Sequence, residues 1–160
     1  NLYEGTLEDE AAAVRLGSER LHLPAAVRAA RPSLVGYAGR EVVVGLRPEH
    51  LSVLDGAEAG AGPPVVEGRI ELVEALGSEL LVYFDLDATR VLAEGAREAD
   101  EEELVSGGQG VARVPPRVRA RPGDRARFAV DVAEMHFFDP VSGASIVDGR
   151  PAEVLVSAGG

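Results

Sequence analysis

Cysteine is absent from the 160 residues, which excludes disulfides, thiolate nucleophiles and Cys-based zinc or iron–sulfur sites. Lysine is absent too, since all 16 basic residues are arginine. No phosphate-binding loop of the G-x-x-x-x-G-K-[ST] type can therefore exist in the chain. Aromatics make up only 4%, too few for a stacking platform that holds single-stranded nucleic acid. No apolar run reaches the roughly 20 residues that a membrane-spanning helix needs. The N-terminal stretch lacks the basic start and apolar segment of an export signal, so a cytoplasmic location is expected. Against the 16 bases stand 27 acids, a net charge of −11. So acidic a chain repels phosphate backbones at long range, which argues against nucleic acid as a partner. What remains is ordinary for a globular protein: 46% apolar and 27% charged residues, enough to build a core.

The apolar pattern has the period of strands. Ala12–Leu16 and Glu19–Leu23 alternate on either side of Gly17-Ser18, a two-residue hairpin turn. This puts Val14, Leu16, Leu21 and Leu23 inside and Arg15, Arg20 and His22 in water. Val42–Leu46 is a β-branched run that Arg47-Pro48 stops. Val66, Gly68, Ile70 and Leu72 alternate with charged residues, and Leu80, Val82, Phe84 and Leu86 repeat the pattern after Gly77-Ser78. Arg119–Val132 reads as strand, turn at Pro122-Gly123-Asp124, and strand. Met135–Phe138 and Ala144–Val147 form a last short pair. Helix is confined to Pro24–Arg31 and a marginal stretch at 87–104, and the Gly/Ala/Pro tract 56–64 reads as a linker. The fold class expected is all-β, a barrel or sandwich of short antiparallel strands with little helix.

Candidate chemistry is sparse. Ser106-Gly107-Gly108-Gln109 matches part of a nucleotide-contacting signature, but the next residues read as a strand rather than the helix such a contact requires, so the string is taken as a loop. His22, His50 and His136 share no metal-ligand spacing. Glu71, Glu74 and Glu79 are the best paired carboxylates, yet nothing in the sequence supplies the burial that would split their pKa values. The run at 100–103 is a solvated acidic loop. Six arginines fall between Arg113 and Arg127, and Arg119, Arg121, Arg125 and Arg127 define a basic stripe. Its simplest reading is a solvated face paired with acids, its alternative an anion or protein contact. No catalytic, cofactor or metal residue is assigned.

Four strings in order carry a resemblance: Asn1-Leu2-Tyr3-Glu4-Gly5-Thr6-Leu7, Val44-Gly45-Leu46-Arg47-Pro48-Glu49-His50, Val73-Glu74-Ala75-Leu76-Gly77-Ser78-Glu79, and Arg121-Pro122-Gly123-Asp124 followed by His136-Phe137-Phe138-Asp139-Pro140-Val141-Ser142-Gly143. In this order the chain resembles the C-terminal regulatory region of ATP-binding cassette importer ATPases of the maltose, multiple-sugar and glycerol-phosphate type, which carries a transport-associated OB-type domain. The start at Asn1 rather than Met suits an excised C-terminal piece. The resemblance implies an OB-type domain over 1–148, with an insertion at 87–110 and a tail at 149–160. It implies a non-catalytic, regulatory and dimer-stabilising role in sugar import, with ATP and Mg expected only in the preceding ATPase domain. The implied partners are that ATPase domain, a second copy of the subunit, membrane permease subunits and a regulatory protein, all on the inner face of the membrane. Arg47, Pro48, Glu49, His50, Phe138 and Asp139 are the interface residues it points to. The competing expectation is a small OB-type module that binds oxyanions.

Overall fold

A computed structural model describes residues 1–54, 62–92 and 110–146. Among these residues ten strands lie in two antiparallel sheets. The first runs β10(His136–Phe138)–β4(Glu41–Gly45)–β1(Leu2–Glu8)–β2(Ala13–Leu16)–β3(Glu19–His22). The second runs β5(Leu51–Val53)–β9(Arg125–Val130)–β6(Val65–Ala75)–β7(Leu80–Leu86)–β8(Gly110–Val114). β3 lies against β6, and β5 against β8. The sheets thereby curl into a nearly closed barrel, the all-β OB-type architecture expected from the sequence.

The hairpin of β2 and β3 forms as its alternation requires. Val14 faces Leu21 in register, and Val14, Leu16, Leu21 and Leu23 are all buried, while Arg15, Arg20 and His22 are exposed. Gly17 turns the corner at φ +55°. Its amide neighbour Ser18 donates to the Asp87 carbonyl at 3.2 Å, so the end of β7 is laid directly across the turn. The core is one apolar cluster spanning both sheets, with Tyr3, Phe84, Phe128 and Phe137 its largest members. The Phe84 and Phe128 rings stack at 4.1 Å between centroids. The sheets also meet at polar seams, one of them between the Glu67 amide and a Glu19 carboxylate oxygen at 3.4 Å.

Four expectations need correction. Leu72 does not continue the inward row of β6. The register shifts between Ile70 and Leu72, a bulge at Glu71, so Val73 rather than Leu72 packs against the core. Arg119–Arg121 is not a strand, because β9 is already paired on both sides by β5 and β6. The Pro122–Asp124 turn instead docks on Ile70, whose N–H donates to the Asp124 carbonyl at 2.8 Å and whose carbonyl accepts from Gly123 at 2.7 Å. Residues 87–92 begin no helix; the remainder of that marginal stretch lies outside the described residues. Between β3 and β4 the chain makes only α1(Ala25–Ala29) and the 3-10 segment Pro32–Tyr37, as Pro32 removes the donor that a longer helix needs. The 144–147 partner of β10 is reduced to a bridge between Phe138 and Ser145, with the Ile146 N–H donating to the Phe137 carbonyl at 2.8 Å; Val147 lies outside the described residues.

Candidate functional site

The string Arg47-Pro48-Glu49 sits where the chain passes from one sheet to the other. β4 ends at Gly45, Leu46 is buried, and Pro48 holds Arg47 extended (φ −73°, ψ 142°) before opening a single 3-10 turn, Pro48–His50. The turn is fixed at both ends. The His50 N–H donates to the Arg47 carbonyl at 3.0 Å, and the Asp131 N–H donates to the His50 carbonyl at 3.0 Å. β5 follows at Leu51. The side chains of Arg47 and Glu49 therefore project from a rigid rim, both exposed.

Arg47 and Glu49 do not pair with each other in this chain, and neither enters any ion pair among the described residues. The Glu49 carboxyl is held below the usual range, first by its own backbone N–H and then by the charges of His50, Arg113 and Arg47. It therefore stays ionised at neutral pH, available to a cation on another molecule. His50 is half-buried, and its Nδ1 has no hydrogen-bond partner among the described residues. The turn carrying Glu49 and His50 packs against β8.

Of the six expected interface residues, Arg47, Pro48 and Phe138 meet around one recess of about 250 Å³, together with Asn1, Leu2 and His136. Phe138 arrives because β10 pairs with β4, placing it opposite Val43 with His136 opposite Gly45. Asp139 is committed elsewhere. Its carboxylate accepts from the Val141 and Ser142 amides (3.0 and 2.8 Å), the Ser142 hydroxyl (3.0 Å) and the Tyr37 hydroxyl (2.9 Å). The Ser142 amide and the Tyr37 hydroxyl foremost among these bonds hold its pKa at about 2. Asp139 thus organises the turn that follows β10 and ties it to the Pro32–Tyr37 segment.

The other sequence candidates have partners or places of their own. Glu74 accepts from Tyr83 at 2.8 Å, Glu79 lies 3.5 Å from Arg113, and Glu71 stands on the bulge. The arginine stripe is broken. Arg127 pairs with Glu67 at 3.6 Å, Arg125 sits opposite Arg69, and Arg119 and Arg121 belong to the loop. No group of three or more His, Asp or Glu side chains able to hold a metal ion occurs among the described residues. Ser106–Gln109 lies outside them. The next residue, Gly110, is explained by packing: a Cβ there would stand 2.4 Å from the Tyr3 hydroxyl and 2.7 Å from the Phe84 ring.

Two further concavities had no signal in the sequence. A cleft of about 1080 Å³ is bounded by the Gly17-Ser18 turn, Arg69, Asp85, Arg90 and Arg125. A more apolar groove of about 430 Å³ lies between α1 and β10, with Val27, Met135, Phe137 and Ile146 along it. Both join residues far apart in sequence, and only register places them together. No helix among the described residues is long and apolar enough to cross a membrane.

Comparison with known proteins gives two family matches, the MalK OB fold domain over residues 1–51 and the TOBE domain over residues 44–111. The rim string Arg47–His50 falls in the overlap of the two. Among relatives, the sulfoquinovosyl glycerol transport ATP-binding protein SmoE of Agrobacterium fabrum is 32% identical over 122 residues, which is 76% of this chain and 27% of that protein. The sn-glycerol-3-phosphate import ATP-binding protein UgpC of Cereibacter sphaeroides is 30% identical, over 82% of this chain and 28% of its own. The oligosaccharides import ATP-binding protein MsmX of Bacillus subtilis is 27% identical, over 87% of this chain and 32% of its own. The chain thus spans about a third or less of the length of these relatives. Among solved structures, the cytoplasmic molybdate-binding protein ModG shares the fold at a TM-score of 0.55 and 15% identity, covering 86% of this chain and 94% of its own.

Proposed function

The chain belongs to the family of MalK-type OB fold and TOBE domains found toward the C-terminus of sugar-importer ATP-binding proteins, and from that premise we propose that it is the regulatory, dimer-stabilising region of such a subunit, with no catalysis of its own. The reading is carried by one observation. The two family matches run in order along residues 1–111, and relatives named as import ATP-binding proteins align with most of this chain, although it spans only a fraction of theirs. The solute class is a sugar or sugar derivative, in keeping with the names of those relatives. The partners are a preceding ATPase domain, a second copy of the subunit, the permease subunits and a regulatory protein, at the inner face of the membrane.

The rim supports self-association on physical grounds. A two-fold contact brings the same patch against itself. An exposed arginine and an exposed, firmly ionised glutamate that enter no ion pair among the described residues can each meet the opposite residue of a second copy. Catalysis is expected to be absent because the chain offers no lysine-bearing phosphate loop. Calorimetric titration of the chain with ATP and Mg tests this: no binding is expected, and saturable binding at micromolar ATP overturns it. Molybdate, sulfate and phosphate belong in the same titration, since saturable uptake of one of them would favour an anion-binding module instead.

A further inference from the structure

We propose that Asn1 is a positioning residue, a clasp that closes the barrel beneath the Arg47–His50 rim and couples the start of β1 to that rim. The proposal rests on the rim reading above for its functional meaning, but its geometry stands alone. β8 is the last strand of its sheet, and it lies against β5. On β8, both main-chain polar groups of Val111 bond to one side chain. The Asn1 carboxamide accepts from the Val111 N–H at 2.7 Å and donates to the Val111 carbonyl at 2.8 Å. A single amide thus imitates the neighbouring strand at this position, satisfying an edge that would otherwise lack a partner.

The remaining carboxamide hydrogen goes to the Leu46 carbonyl at 2.9 Å. The Leu46 N–H in turn donates to the Asn1 carbonyl at 2.9 Å. Leu46 is the buried residue directly before Arg47. Asn1 therefore holds three things together: the beginning of β1, the edge of β8, and the peptide from which the rim departs. Asn1 also borders the recess shared by Arg47, Pro48 and Phe138. A displacement of the chain at Asn1 reaches the rim through two hydrogen bonds to one residue. No other side chain has this combination of groups and reach: aspartate lacks the two donors, and glutamine places its amide one methylene further out.

The test is nuclear magnetic resonance on the chain carrying Asn1→Ala, with Asn1→Gln as the conservative variant and Leu21→Ala, on the far edge strand β3, as a variant that weakens the core away from the clasp. The quantity read is amide exchange at Val111 relative to Val82 on the buried side of β7, together with the amide shifts of Arg47, Glu49 and His50. In Asn1→Ala, Val111 should exchange at least about tenfold faster relative to Val82, because a local opening is freed while the global one is not. The rim shifts should move as well. Asn1→Gln should restore Val111 protection in part. Leu21→Ala should speed both amides by the same factor and leave the rim shifts in place. Equal acceleration of Val111 and Val82 in Asn1→Ala, or unmoved rim shifts, overturns the clasp. Sedimentation of the same variants separates this from the interface. If Asn1→Ala moves the rim while Arg47→Ala leaves association intact, the clasp stands and the rim is not the dimer surface.

Discussion

Replacing Gly17 by alanine introduces two separate penalties, and a second glycine separates them. At Gly17 the backbone has φ +55°, and an added Cβ would sit 1.6 Å from the Asp87 carbonyl oxygen and 2.6 Å from its carbon. Both neighbours are main chain, so no rotamer change relieves the overlap. The left-handed conformation costs an alanine about 1–2 kcal/mol. Forced displacement of packed backbone adds about 1–3 kcal/mol, and the Ser18–Asp87 bond it breaks is worth about 1 kcal/mol. The reduced freedom of the unfolded chain returns about 0.4–1 kcal/mol. The net loss is about 4 kcal/mol, or roughly a 12 °C fall in Tm for a chain of this size. Gly77 has φ +69° and nothing within 4 Å of its added Cβ. Gly77→Ala should therefore cost only about 0.5–1 kcal/mol, the conformational part alone. Urea denaturation of the two variants beside the parent chain measures the difference. Losses within about 0.5 kcal/mol of each other would mean that the end of β7 does not lie across the β2–β3 turn.

Two further outcomes follow from particular contacts. The Asp139 carboxyl titrates at about 2 because of its Ser142, Tyr37 and Val141 donors; its ordinary unfolded value is near 3.9. Its contribution is therefore present above that value and lost as pH falls toward 2, so Asp139→Asn should lower stability at pH 6 and flatten the acid limb in a pH series of thermal melts. An unchanged acid limb would remove Asp139 from that role. The bulge at Glu71 makes Val73 the core-facing residue, so Val73→Ala should destabilise at least as much as Leu72→Ala despite the smaller side chain removed. A larger loss at Leu72 in denaturant titration would restore uninterrupted alternation.

What the sequence made legible was local. The β2–β3 hairpin was readable because period-two alternation and a Gly-first turn agree within a dozen residues. The end of β4 was readable because Pro48 acts on its own neighbour. The bulge in β6 was not, since Glu71 continues the alternating pattern without any Gly or Pro to mark it. Arg119–Arg121 alternates like a strand but finds no free edge, and edge availability is a property of the whole sheet. The rim of the candidate site was visible as Arg47-Pro48-Glu49, while its recess was not, because Phe138 and His136 reach it only through the pairing of β10 with β4. Asn1 was equally hidden. Its side-chain partner Val111 is 110 positions away, and a single asparagine has no period to betray it. The four bonds of the Asp139 carboxylate, which tie the turn after β10 to Tyr37, were hidden in part because Tyr37 is 102 positions away.

The claim that this chain is a self-associating regulatory region is tested most directly by sedimentation equilibrium over a wide concentration range, comparing the parent chain with Arg47→Ala, Glu49→Ala and, as an exposed residue away from the rim, Glu71→Ala. The account predicts a monomer–dimer equilibrium for the parent and for Glu71→Ala. Both rim variants should dimerise about tenfold more weakly, since each leaves the facing charge of the other copy without its partner. A parent chain that stays monomeric at every concentration, or four identical association curves, would contradict it.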